Sequence, residues 1–344
     1  MKPMAFGDIY GQDTIIERIK QYLRAGTITG TYLFTGPQGV GKASVAQAMA
    51  AALNCLTDSF DACGECSSCK KISKGVHPDV HMINDLNAEA LPEEDEATVE
   101  YKSRKLEAPG EEIKIETIRQ LQKEINLRPY EGRKKVFIIQ EAHTMTQDAS
   151  HAFLKTLEEP PANSVIILVS AKPALLLNTI ISRCKVFKFA SLKRDALENI
   201  LRKFSHLDEE RIHYLSFFCE GRIGQALRLK DKDVLAEKNK VIDEFIFSGN
   251  AEIADMQKIG REGLRQHLNI LAGWFRDVYL VKSGLPQQEL INRDRADELY
   301  QFARNYCFAE LDEIFMVITD SLRYCEQNLN MRLIASNVQV QLKH

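Results

Sequence analysis

Short apolar runs of β type, Tyr32-Leu33-Phe34, Val136 to Ile139 and Val165 to Ser170, alternate with helical patterns through residues 1–190. Strands spaced by helices predict a parallel sheet covered on both faces. An Ala-rich helical run from Val45 to Leu53 follows the first strand, and a later strand is expected from Lys185 to Phe189. From Leu192 the β-type runs stop. Leu197, Ile200, Leu201 and Phe204 recur at helical spacing, as do Ile212, Leu215, Phe218 and Cys219, which predicts a small helical lid over residues 191–233. Asp231 to Lys240 reads as a charged link into a last helical region, residues 234–344. Its apolar stripes fall at Leu264, Leu268, Leu271, Phe275 and Val278, and at Leu311, Ile314, Phe315 and Ile318. Such stripes point to core or subunit contacts. Within the first region the pattern breaks over residues 87–112, where Glu93-Glu94-Asp95-Glu96 lies among Pro92, Pro109 and Gly110. This acidic stretch reads as a mobile surface insertion.

Composition frames these elements without redirecting them. A chain of 344 residues, 44% hydrophobic, can hold two or three separately cored domains. With 45 basic and 48 acidic residues the net charge is -3, so any nucleic-acid contact must be local. No apolar run approaches the roughly 18 residues that span a bilayer, and a membrane role is not expected.

Between the first strand and its helix lies Thr35-Gly36-Pro37-Gln38-Gly39-Val40-Gly41-Lys42-Ala43. Gly36, Gly39, Gly41 and Lys42 form a phosphate-binding loop, in which backbone N–H groups surround phosphates and the lysine reaches the terminal ones. The hydroxyl that should follow the lysine and ligate Mg²⁺ is missing: Ala43 stands there, and Ser44 is about 100° further round the helix. The strand ending at Ile139 should carry the second half of the metal site. Its first carboxylate is replaced by Gln140, a neutral amide that a hard cation does not favour, while Glu141, the expected water-orienting base, is retained. Losses on both sides of one metal site predict a site that does not hydrolyse ATP efficiently.

Cys55, Cys63, Cys66 and Cys69 follow a C-x7-C-x2-C-x2-C spacing. Four thiolates so placed suit a closed, structural tetrahedral zinc. Disulfides are the alternative, but the chain opens without a secretory pattern and carries an intracellular-type loop, so reduced cysteines in a cytoplasmic protein are expected. Cys184, Cys219, Cys307 and Cys325 are scattered singly and read as small buried apolar residues.

With these residues in view, the chain resembles the AAA+ family, in particular the delta-prime kind of clamp-loader subunit of bacterial DNA polymerase III. Phe6-Gly7-Asp8-Ile9-Tyr10-Gly11-Gln12, the loop, the four cysteines, His77-Pro78-Asp79-Val80, Leu127 to Gly132, Ala152 to Pro161 and Ser182-Arg183-Cys184 carry the likeness. It covers roughly residues 5–230. The resemblance implies an AAA+ domain, a helical lid and a helical collar that forms hetero-oligomers. The implied partners are ATPase subunits and a clamp-opening subunit, and through the complex the sliding clamp and primed DNA. It also implies that Arg183 is a finger projected into a neighbour's ATP site, where a guanidinium stabilises phosphoryl charge. In the ATPase subunits the lid supplies an arginine; here Gly224 takes its place, and Arg222 is two positions away. Two other readings stand beside this one: an active ATPase motor subunit of the same loader, and a zinc-dependent DNA-binding module. Against the module, Asp61 and Glu65 interrupt the basic residues Lys70 and Lys71.

Overall fold

The computed structural model describes residues 5–57, 60–83, 112–204, 206–248, 260–327 and 329–342. The expected insertion at 87–112 lies outside them except for Glu112. Two compact units form, Met1–Leu192 with Arg222–Gly224, and Lys193–Gly221 with Gln225–His344.

The first unit is built on five parallel strands, β1 (Gly30–Thr35), β2 (Val80–Ile83), β3 (Lys135–Ile139), β4 (Ser164–Ser170) and β5 (Lys185–Lys188), in the order β2-β3-β4-β1-β5. Residue alternation along the central strands decides both faces. Tyr32, Phe34, Val136, Ile138, Val165 and Ile167 enter one core, and Leu33, Phe137, Ile139, Ile166 and Leu168 enter the other. On the first face lie α1 (Asp13–Arg24) and α2 (Lys42–Asn54). The latter approaches the sheet through small residues, Ala46, Ala48 and Ala50, beside Met49. Opposite are α3 (Ile115–Ile125) and α4 (Gln147–Glu158), which contribute Ile118, Leu121, Phe153 and Leu157. Each such large side chain stabilises the fold by about 1.5–3 kcal/mol. The predicted strands appear within a residue or two of their expected ends. Strand β2 was not foreseen, because Val80-His81-Met82-Ile83 lies at the sheet edge and mixes polar with apolar residues.

Every described element of the second unit is helical. Leu264, Leu268, Leu271, Phe275 and Val278 are buried on the long helix Gly260–Lys282, around a fully buried Trp274. Leu311, Ile314 and Ile318 of helix Phe308–Glu326 join the same core. The stretch expected as a charged link is instead mostly helix, Val234–Ile242. Val234, Lys238, Val241 and Ile242 share one helical face and are all buried. Lys238 is accommodated because Asp294 takes its ammonium at 2.6 Å on both carboxylate oxygens. Cys307 departs from the buried expectation: it is exposed and caps helix Phe308–Glu326, whereas Cys219 and Cys325 are buried.

Candidate functional site

The phosphate loop leaves the end of β1, where Gly36, Gly39 and Gly41 have φ of 138°, 83° and 98°. These are values that L side chains resist. Gln12 helps to hold the loop, its Nε2 donating to the carbonyls of Val40 at 3.1 Å and Ala190 at 2.9 Å. Lys42 opens α2 and is buried. Its Nζ donates to the carbonyls of Gly36 at 2.6 Å and Pro37 at 2.7 Å, so the ammonium is satisfied by the loop itself. Burial lowers the Lys42 pKa, and the nearby Glu141 charge opposes that shift.

At the ends of β3 and β4 the structure assembles a group that sequence alone had only partly named. Gln140 donates its backbone N–H to Ile83 at 2.8 Å. Glu141 adopts a left-handed φ of 45° and sets its carboxylate 3.6 Å from His143 Nδ1. His143 Nδ1 also lies 3.2 Å from Ser170 Oγ. Burial first, then the charges of Lys172 and Lys42, lower the His143 pKa and favour the neutral ring. His143 and Ser170 were missed; their signal was position, just beyond two buried strands at the end that holds the loop.

Gly224 belongs to the first unit and meets the loop directly. Its N–H donates to the carbonyl of Gly39 at 2.7 Å, and a Cβ there would stand 2.8 Å from the same oxygen. A side chain at this position has no room while the loop keeps this form. Arg183 is elsewhere on the unit, after the short helix Asn178–Ile181, and is exposed. Its guanidinium donates to Glu158 Oε1 at 2.8 Å and to the Thr179 carbonyl at 3.0 Å. Burial pushes the neighbouring Cys184 thiol up to about 12, in keeping with an inert packed side chain.

The four cysteines do converge. Their sulfurs all lie within 4.8 Å of one another. A tetrahedral zinc with Zn–S bonds of about 2.3 Å asks for sulfurs about 3.8 Å apart, so the donor set fits after a small contraction. Cys55 closes α2, while Cys66 caps and Cys69 lies within the helix Ser67–Lys74, so the cluster ties two helices together. Backbone N–H groups point at the sulfurs: Cys63 N to Cys55 Sγ at 3.4 Å, Cys66 N to Cys63 Sγ at 3.3 Å and Cys69 N to Cys66 Sγ at 3.4 Å. The N–H groups of Cys66 and Glu65 bring the Cys63 thiol down to about 6, toward the thiolate a metal needs. Burial moves Cys69 the other way.

Next to this cluster is a buried polar network that the sequence did not reveal. Asp79 is fully buried and accepts the backbone N–H groups of Tyr130 at 2.7 Å, Glu131 at 2.8 Å and Gly132 at 2.7 Å. His77 joins it to the cysteine module, with Nδ1 accepting from Asp79 N at 3.1 Å and Nε2 lying 3.1 Å from Ser68 Oγ. The loop before β3 is thereby fastened from beneath, although Asp79 and Gly132 are 53 residues apart in the chain.

Comparisons with known proteins point one way. Residues 11–193 match the family described as DNA polymerase III, delta subunit, and residues 232–344 match its C-terminal family. The tau subunit of DNA polymerase III from Salmonella typhimurium is 31% identical over 264 residues, 75% of this chain and 37% of tau. The delta' subunit from Bacillus subtilis is 26% identical over 342 residues, 96% of each chain. The chain thus spans about a third to a half of the tau subunits it matches, 37% of the Salmonella and 54% of the Bacillus protein, but nearly all of the delta' subunit. A crystal structure of a gamma-subunit-related DNA polymerase III protein from Thermotoga maritima has the same fold. It is 18% identical, with a TM-score of 0.51, over 95% of this chain and 98% of that one. Among the described residues no helix is long and apolar enough to cross a membrane.

Proposed function

The chain belongs to the DNA polymerase III delta-subunit family, and from that premise we propose that it serves as a delta-prime-like clamp-loader subunit that completes a neighbour's ATP site rather than turning over ATP in its own. The observation that carries this reading is the pairing of a fully formed phosphate-loop backbone with Ala43 and Gln140 at the two positions that should hold Mg²⁺. Lys42 bonded to Gly36 and Pro37, and Gly224 bonded to Gly39, support it: phosphate must compete with the loop's own carbonyls for the ammonium. ATP or ADP is then held weakly and without efficient metal-assisted hydrolysis, and Glu141 is vestigial.

Arg183 has the opposite character. It is presented at the surface by a short helix, and a single carboxylate, that of Glu158, holds it with one carbonyl. Exposed ion pairs of this kind are worth only about 0–1 kcal/mol, so the guanidinium can leave Glu158 for a phosphate at little cost. In this role the chain assembles with ATPase subunits and a clamp-opening subunit in a cytoplasmic hetero-oligomer that places a sliding clamp on primed DNA. Zinc on Cys55, Cys63, Cys66 and Cys69 would brace the first unit; with four thiolates it has no open position and supplies no step of the chemistry.

Arg183→Ala tests the assignment. In a reconstituted loader the variant should assemble normally while DNA-stimulated ATPase falls several-fold: a trans arginine is worth about 10³-fold or more at the one site it completes, and sites it does not touch dilute that loss in the rate of the whole complex. An unchanged rate removes the finger. Retention of Lys42 and Glu141 favours one second reading, an active motor subunit; it requires Mg²⁺-dependent hydrolysis by the isolated chain.

A further inference from the structure

The loop from Leu127 to Lys134 is held more firmly than its exposure calls for. Three of its N–H groups end on the buried Asp79 carboxylate, and Lys134 N donates to Asn54 Oδ1 at 3.0 Å. Gly132 fits only because it lacks a side chain: a Cβ would stand 2.7 Å from Asn54 Oδ1. What this scaffold displays is Tyr130, a residue 86% exposed. A ring so exposed contributes almost no burial to folding, so packing does not account for it.

The surroundings are cationic. Arg128 and Arg133 flank Tyr130 on the loop and are exposed. Lys71, on the helix Ser67–Lys74, reaches across to Glu131 at 2.6 Å and neutralises the one acidic residue of the loop. Lys74 lies one helical turn beyond Lys71, on the same face, and Lys70 precedes it; both are exposed. Residues some 60 positions apart therefore build one surface, an aromatic ring among cations, in a chain whose net charge is -3.

We propose that this surface docks single-stranded nucleic acid, with a base stacked on Tyr130 and the adjoining phosphates met by Arg128 and Lys74. An exposed aromatic set among cations is how proteins hold single strands without reading sequence. A duplex hides its base faces and gives Tyr130 nothing to stack on. An acidic peptide would use the cations but not the ring. The proposal does not depend on Arg183 or on the nucleotide site.

The test is fluorescence anisotropy of the full chain with a labelled oligothymidylate at low salt, repeated over a salt series. Tyr130→Ala should weaken binding about five-fold to a hundred-fold while Tyr130→Phe retains it. Arg128→Ala should reduce the salt dependence by about one phosphate contact. All three substitutions are at exposed positions, so thermal melting should be unchanged, which separates lost binding from lost fold. The proposal is overturned if the wild-type chain does not bind at low salt, or if Tyr130→Ala binds as tightly as wild type. It is equally overturned if polyglutamate or duplex DNA binds as well as the single strand and is indifferent to Tyr130.

Discussion

Replacing Asp79 by Asn is the sharpest probe of how the first unit holds its pre-β3 loop. Asp79 is fully buried, with Oδ1 taking the N–H of Tyr130 at 2.7 Å and Oδ2 those of Glu131 and Gly132 at 2.8 and 2.7 Å. Asparagine has the same shape but only one acceptor oxygen. If that oxygen serves Glu131 and Gly132, the amide NH₂ faces the Tyr130 N–H, donor against donor. Charge-assisted hydrogen bonds are worth about 1.5–3 kcal/mol each, and the substitution deletes one and weakens two. Allowing for the relief of burying a neutral group, the loss is about 2–4 kcal/mol. For a unit of this size that lowers the melting temperature by roughly 5–15 °C. The pH dependence has a definite sign. Burial pushes the Asp79 pKa up, but the three N–H groups and His77 outweigh it, so the folded value is lowered. A lowered carboxylate contributes stability that is present above the unfolded pKa of about 3.9 and is lost as pH falls through the folded value. The gap between wild type and Asp79→Asn should therefore be constant from neutral pH down to about pH 5 and narrow below about pH 4. Differential scanning calorimetry of the full chain, reading the first unit's transition at several pH values, measures both. Coincident transitions at pH 7, or a gap that widens in acid, would refute the account.

Metal analysis of protein purified under reducing conditions should return about one zinc per chain, and Cys66→Ser should lower both metal content and the melting temperature of the first unit. Calorimetric titration with ATP should give weak binding that Mg²⁺ does not strengthen, because Ala43 offers the cation no ligand and Gln140 only an uncharged one; a marked Mg²⁺ dependence would restore a working metal site. Lys238→Met should destabilise the second unit by about 3 kcal/mol in urea titrations, since it strips the partner from the largely buried Asp294 carboxylate.

The central sheet was legible because its strands are long apolar runs bounded by glycine loops, and their burial follows directly from that pattern. Strand β2 and the helix Val234–Ile242 were not, for related reasons. Each is short or charged, and each is stabilised by tertiary partners distant in sequence: β2 by pairing with β3, and Lys238 by Asp294. The cysteine cluster was legible because metal ligands must be close, and here closeness in the chain matched closeness in space. The Asp79 network was hidden for the opposite reason. His77-Pro78-Asp79 is an ordinary tripeptide until Tyr130, Glu131 and Gly132 are brought over it, and no local rule predicts that meeting.

The phosphate loop shows how much of a motif the fold itself requires. Gly36 is required by packing as well as by its φ, since a Cβ there would lie 2.2 Å from the carbonyl oxygen of Phe189, just past β5. Gly39 and Gly41 are required by backbone angles in the left-handed region. Even Lys42, the residue that ought to want a phosphate, is satisfied by two carbonyls of the loop. Every element of the signature is thus accounted for by the fold before a nucleotide is considered. Ala43 and Gln140 stand at the two positions whose expected task is the metal alone, and the loop's form does not depend on a metal ligand at either. On the proposed reading, an ATPase fold relieved of its metal would lose its ligands at those positions first, while the loop, held by Gly224 on one side and Gln12 on the other, keeps the architecture that presents Arg183.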